Sequence, residues 1–379
     1  MDKYKDIRPY SDEEIRPVLD QLITNPEFLQ SIASFYYPRL TRWFPGLMRK
    51  SAQGKLRGQV QGVHDVASMQ DVIAGYMDKM IHDTTTELTK SGLENLQPGR
   101  NYLFISNHRD IAMDPAFVNY MLYHSGYPTL QIAIGDNLLK KPFVTDLMRL
   151  NKSFIVRRSL KGRELLQALS LLSQYIHHCI QSTHNVWIAQ REGRAKNGID
   201  KTDPALLKML AMGRRDLPLS ESLNELHIVP VSISYEFDPC DVLKAEELYA
   251  KEHTGHFEKT EDSDIQSIVK GMIGYKGAVH VAFGQEIGVV LDEADRVAAQ
   301  IDEQIINNYK LRDINFQALE LLKQDGMLPL HRLNDIEIPE EFSQAARDKF
   351  AERLQAVEPH LMKHFLFSYA NPILNKYGV

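Results

Sequence analysis

Between Tyr102 and Gly288, short apolar runs alternate with stretches of helical periodicity, and no other feature of this sequence restricts the fold so tightly. The runs are YLFIS (102–106), LQIAIG (130–135), SFIVR (153–157), NVWIA (185–189), HIVPVSISY (227–235) and AVHVAFG (278–284). Each has the length of a strand, and between them Asp114–Tyr123, Gly162–Ile180 and Ala205–Met212 read as helices. The alternation predicts an α/β domain over 91–290, with a central, mostly parallel sheet flanked by helices. Pro230, inside the fifth run, predicts a sheet edge or an interrupted ladder.

The flanks read differently. Residues 1–90 form a helical N-terminal region: Ser11 before Asp12, Glu13 and Glu14 suits a helix start, and Ile15, Val18, Leu19, Leu22 and Ile23 follow at helical spacing. From 28 to 50, Phe, Tyr, Trp and Leu interleave with Arg39, Arg42, Arg49 and Lys50, and Pro38 and Pro45 divide the stretch. Aromatics so spaced suit either a core or a membrane interface, with the arginines toward anionic headgroups. Residues 291–379 form a helical C-terminal region expected to cover the core.

Composition narrows the class. With 43% hydrophobic and 25% charged residues among 379, the chain is globular, and its net charge of −6 gives no general attraction to nucleic acid. The two cysteines, Cys179 and Cys240, offer neither a disulfide framework nor zinc spacing. No stretch of 18 near-continuous apolar residues predicts a membrane span, and the N-terminus does not read as a signal peptide. The expected location is the cytoplasm, with peripheral attachment to the cytoplasmic membrane face through 28–50.

The residues suited to chemistry fall at strand ends. In SNHRDIAMDP (106–115), His108 follows a strand, Asp110 and Asp114 lie close by, and Asp114 is placed to cap a helix beginning at Pro115. A carboxylate on one imidazole nitrogen fixes the tautomer and leaves the other nitrogen free to take a hydroxyl proton. The plainer alternative is a surface histidine beside a capping aspartate. KSFIVRRSLKGR (152–163) gathers Arg157, Arg158, Lys161 and Arg163 at another strand end, either a solvated turn or a grip for phosphate. WIAQREGRAKNG (187–198) adds Arg191, Glu192, Gly193, Arg194 and Lys196, where the glycine would admit a ligand close to the backbone and the cations would hold an anion.

These blocks, with Val229-Pro230-Val231, resemble in order and separation the glycerolipid acyltransferase family, which includes glycerol-3-phosphate and 1-acyl-glycerol-3-phosphate acyltransferases. The resemblance covers roughly 96–235. It implies transfer of a fatty acyl group from acyl-CoA or acyl carrier protein to a glycerol-phosphate hydroxyl in phospholipid synthesis. His108 would be the base, Asp114 its partner, and Arg109, Arg157, Arg158, Glu192, Gly193, Arg194 and Lys196 the acceptor phosphate site, without bound metal or cofactor. The interval from His108 to Asp114 is one residue longer than the family pattern, so Asp110 remains an alternative partner. The third block lacks a residue between Gly193 and Arg194. The double arginine of 152–163 looks most like the glycerol-3-phosphate branch. Other classes stay open: a hydrolase using the same histidine on water, a lipid-phosphate binding module without catalysis, and, from His177, His178 and His184, a zinc enzyme.

Overall fold

A computed structural model describes residues 2–182, 184–260, 263–290, 292–328, 336–339 and 342–378. In chain order come helices α1 (Asp12–Leu22), α2 (Pro26–Tyr36), α3 (Pro38–Trp43), α4 (Pro45–Gln59) and α5 (Val66–Thr84), then β1 (Thr85–Ser91) and β2 (Leu103–Ser106). Next are α6 (Met113–Tyr123), β3 (Gln131–Gly135), α7 (Pro142–Leu150), β4 (Ser153–Val156), α8 (Gly162–Ser182) and β5 (Val186–Ala189). They are followed by α9 (Pro204–Leu210), α10 (Leu219–Asn224), β6 (Ile228–Tyr235), α11 (Asp241–Thr254), α12 (Ser263–Ile273) and β7 (Gly277–Phe283). The chain ends with α13 (Ala294–Asn308), α14 (Asp313–Gln324), α15 (Gln344–Gln355) and α16 (Met362–Tyr377).

Two compact units result, Met1–Lys79 with Leu130–Ile176, and Met80–Thr129 with His177–Val379. This division differs from the linear three-part reading, because the segment carrying β3, α7 and β4 belongs with the N-terminal helices. In the first unit β3 and β4 pair in parallel, and Ile15, Leu19, Leu22, Phe28, Val60, Val63, Met69, Phe143 and Leu150 share one core. Proline sets the helix boundaries there. Pro26, Pro38 and Pro45 each stand at a helix start, where the missing N–H costs nothing, and the residues before the last two, Tyr37 and Phe44, are held out of helical conformation.

In the second unit the strands run in the order β1, β7, β6, β2, β5. β2 pairs in parallel with both β5 and β6, β1 pairs in parallel with β7, and β6 meets β7 antiparallel. The six apolar runs are all strands. β1 falls within the stretch expected to be helical: TTELTKS is polar, its only partner within this unit is β7, and nothing in its composition separates it from a loop. Pro230 is not on an edge strand. It lies in β6, between β2 and β7, one residue beyond the last β6–β7 pair, Val231 with Phe283; its carbonyl still accepts the Gly284 N–H at 2.8 Å, and the Gly284 carbonyl, which a Pro230 N–H would have met, accepts from Asn95 Nδ2 at 3.3 Å instead. The C-terminal helices cover a second core in this unit, in which Ile314, Leu322, Phe350, Phe365, Tyr369 and Ile373 pack together. Leu291, where that tail was expected to begin, is outside the described residues.

Candidate active site

β2 ends at Ser106, paired with Ala189 of β5 and Val231 of β6, so the residues after it emerge at the carboxyl end of three parallel strands. In α/β sheets this end is open to a crevice. Asn107 fixes the exit: its side chain acts as a peptide, with Nδ2 donating to the Ile233 carbonyl at 3.0 Å and Oδ1 accepting from the Ile233 N–H at 2.8 Å. His108 comes next, its ring edge-on to Trp187 with centroids 5.7 Å apart.

The His108 Nδ1–H donates to Asp114 Oδ2 at 2.8 Å, and the Asp114 side chain is fully buried. That same oxygen accepts the backbone N–H groups of Arg109 at 2.6 Å and Asp110 at 2.9 Å. Tyr235, the last residue of β6, donates its hydroxyl to Asp114 Oδ1 at 2.7 Å. Four donors therefore hold the carboxylate in place and fix the imidazole tautomer, leaving Nε2 free to accept a proton. The Tyr235 hydroxyl is pushed well above its ordinary range, by burial first and by the Asp114 charge next, so it remains a donor.

Asp114 is not the helix cap. α6 begins at Met113, and Asp110 Oδ1 accepts the N–H groups of Ala112 and Met113 at 3.0 and 2.9 Å. The capping task falls to Asp110 because Asp114 turns back onto the 108–110 backbone. The other Asp110 oxygen is buried without a partner, and α12 closes on it: a Cβ at Gly271 would stand 2.0 Å away. Burial first, then the charge of Asp114, raises the Asp110 carboxyl above its usual range.

The cations divide sharply. The Arg109 guanidinium faces the interior, bonded to Asp200 Oδ2 at 2.6 Å and the Gly198 carbonyl at 3.2 Å, an arrangement that braces the 190–203 loop. The same loop is tied to the base itself, since the Ala195 N–H donates to the His108 carbonyl at 2.8 Å. Lys244 bonds the Arg109 carbonyl at 2.6 Å and pairs with Asp238. Burial would raise the Asp238 carboxyl, but the Lys244 ammonium outweighs it and the shift is downward. Lys196 is paired with Glu247 and pushed down by burial. Arg194 is different: Nη2 donates to Ser267 of α12 at 3.2 Å, while Nη1 is buried without a partner. Arg191, Glu192 and Gly193 are exposed, and Gly193 has φ 74°, a left-handed turn that only glycine takes without strain. α16 secures the far end of the loop, where Asn371 Nδ2 donates to the Asn197 carbonyl at 2.6 Å. Arg157 and Arg158 belong to the first unit. There Arg157 stands 3.9 Å from Asp6, and the Arg158 N–H donates to Asp136 at 3.0 Å.

Sequence reasoning missed Tyr235, Asp200 and Ser267. Tyr235 had one usable signal, since β6 runs parallel to β2 and its C-terminal residue reaches the same sheet end. Among the described residues no group of three or more His, Cys, Asp or Glu could hold a metal ion.

A histidine held by a buried aspartate at the end of a parallel strand has the chemistry needed to take a proton from a hydroxyl or water. Residues 87–234 match the family described as Acyltransferase. It is 27% identical over 225 residues to a glycerol-3-phosphate acyltransferase of Pseudomonas syringae pv. tomato, an overlap of 59% of this chain and 26% of that one. It is also 30% identical over 203 residues to the enzyme of that name from Xanthomonas axonopodis pv. citri, covering 52% and 21%. The chain thus spans about a quarter of the length of these relatives. Among solved structures, the 1-acyl-sn-glycerophosphate acyltransferase PlsC of Thermotoga maritima overlaps 78% of this chain and 99% of its own, at 12% identity and a TM-score of 0.35.

Proposed function

We propose that this protein is an O-acyltransferase that moves a fatty acyl group from acyl-CoA or acyl carrier protein to glycerol-3-phosphate or 1-acyl-glycerol-3-phosphate. The observation that carries the reading is the His108–Asp114 hydrogen bond, inside the stretch that matches the family. An alcohol is a weak nucleophile at neutral pH, and Nε2 of His108 would take its proton as the oxygen attacks the thioester carbonyl. Asp114 would stabilise the imidazolium through Nδ1–H. Collapse of the tetrahedral intermediate breaks the carbon–sulfur bond, and the departing thiolate recovers the proton from His108.

Arg194 suits the acceptor phosphate best within this unit, because one of its guanidinium nitrogens has no internal partner. Lys196 and Arg109 would act by holding the loop that presents it, and Glu192 and Gly193 would shape the turn. Arg157 and Arg158 enter through the sequence resemblance, as further phosphate ligands. Holding the phosphate places the hydroxyl by proximity. No helix of the described chain is long and apolar enough to cross a membrane, which is compatible with the proposed work at the cytoplasmic membrane face.

The test is an assay of the purified chain with acyl-CoA against both acceptors, beside His108→Ala. Loss of about a hundredfold or more in kcat in the variant is expected. Wild-type transfer by a folded His108→Ala protein would overturn the reading, and free fatty acid in place of ester would assign a hydrolase.

A further inference from the structure

The segment 28–64 holds no aspartate or glutamate and six cations, Arg39, Arg42, Arg49, Lys50, Lys55 and Arg57, in a chain whose net charge is −6. The structure sorts its apolar residues into two sets. Phe28, Leu29 and Ala33 of α2 are buried, and Phe28 lies in the core of the first unit. Around the α3–α4 joint the reverse holds: Trp43 is 76% exposed, Leu47 62%, Phe44 59%, Phe35 51% and Leu40 50%. The expectation of core describes the first set, and the second set is exposed.

This exposure follows from local structure. Pro45 bars Phe44 from helical conformation and breaks the chain between α3 and α4 (Phe44 φ −131°, ψ 59°). The fold around the break is anchored, since Thr41 Oγ1 donates to the carbonyls of Ala33 at 2.9 Å and Tyr37 at 2.8 Å. Lys55 lies 3.8 Å over the Tyr36 ring, which ties α4 back to α2. From Pro38 to Leu47 every residue but Thr41 is exposed. Exposed apolar side chains of this number on an anchored corner, interleaved in sequence with positive charge alone, mark a contact surface.

We propose that the α3–α4 corner docks this protein on an anionic phospholipid bilayer, with Leu40, Trp43, Phe44 and Leu47 entering the interface and Arg39, Arg42, Arg49 and Lys50 meeting the headgroups. Charge complementarity selects this occupant. A second copy would bring six like charges against six, whereas a bilayer of acidic lipid offers the opposite sign together with an apolar layer beneath it. The inference draws on the acyltransferase reading only for the reason a bilayer would be approached.

Two tryptophans make the test direct. Trp187 is 2% exposed and hydrogen-bonded to Ser106, so any emission change on adding vesicles reports Trp43. The full chain should show a blue shift with vesicles of phosphatidylcholine and phosphatidylglycerol, quenched by brominated lipid, and little response to phosphatidylcholine alone. Leu40→Ala/Phe44→Ala/Leu47→Ala, which alters exposed side chains only, should weaken vesicle binding on the order of a hundredfold. Arg39→Gln/Arg42→Gln should remove the preference for acidic lipid. Transfer from a short-chain acyl-CoA to glycerol-3-phosphate in solution should be unchanged in the triple variant, so docking and chemistry fail separately. An absent shift, undiminished binding by the triple variant, equal binding to neutral vesicles, or lipid-free self-association through this corner would overturn the proposal.

Discussion

Around His108 the interior holds charge, whereas at the α3–α4 corner the exterior holds aromatic and aliphatic side chains. Each region inverts the usual distribution. Their difference lies in where the compensation is found. Arg109, Asp114, Asp200 and Lys244 are buried, and every one meets an opposite charge or several hydrogen bonds within the unit. Trp43, Phe44 and Leu47 have no comparable burial anywhere in the described chain. The first inversion is compensated pair by pair within the unit, so losing one member of a pair leaves the other exposed to the full cost of burial. The second has no compensation of that kind within the described chain and, on the docking proposal, finds it in a bilayer, so its members should be dispensable to folding.

That contrast can be broken by mutation. Asp200→Ala would leave the Arg109 guanidinium buried without its counter-ion, and chemical denaturation should show a loss of about 3–5 kcal/mol. A loss of only a few tenths would mean that this pair does not brace the 190–203 loop. Tyr235→Phe removes one of four donors to Asp114 and leaves a buried ring of nearly the same volume. We expect kcat to fall by roughly tenfold, corresponding to a hydrogen bond to a charged group, with KM unchanged. A rise in KM alone would move Tyr235 from positioning the dyad to contacting substrate. Trp43→Ser and Leu47→Ser should each alter stability by less than about 0.5 kcal/mol. A larger loss would show that the corner packs within the chain after all.

What could be read in the sequence follows the range of the interactions. Strands sandwiched between helices announce themselves as apolar runs, and all six did. β1, polar and paired within its unit only with β7, did not. His108 and Asp114 lie six residues apart and were legible as a pair. Tyr235 reaches Asp114 across 121 residues and Asp200 reaches Arg109 across 91, separations at which only the strand order brings groups together. Arg109 and Lys196 show what charge alone leaves out. Adjacent to the histidine or in a basic loop, each looks like a phosphate ligand, yet each is spent on an acidic partner far along the chain. The aromatic segment was ambiguous because its sequence mixes both fates, and only three-dimensional exposure separates Phe28 from Phe44.

The central claim is that Asp114, not Asp110, steadies the base. The most direct measurement compares single-turnover acyl transfer by Asp114→Asn and Asp110→Asn. The asparagine at 110 can still accept from Ala112 and Met113, whereas at 114 it removes the charge facing the imidazolium. A loss of about a thousandfold at 114 with near wild-type transfer at 110 is the predicted result. The reverse order, or equal losses in two folded proteins, would contradict it.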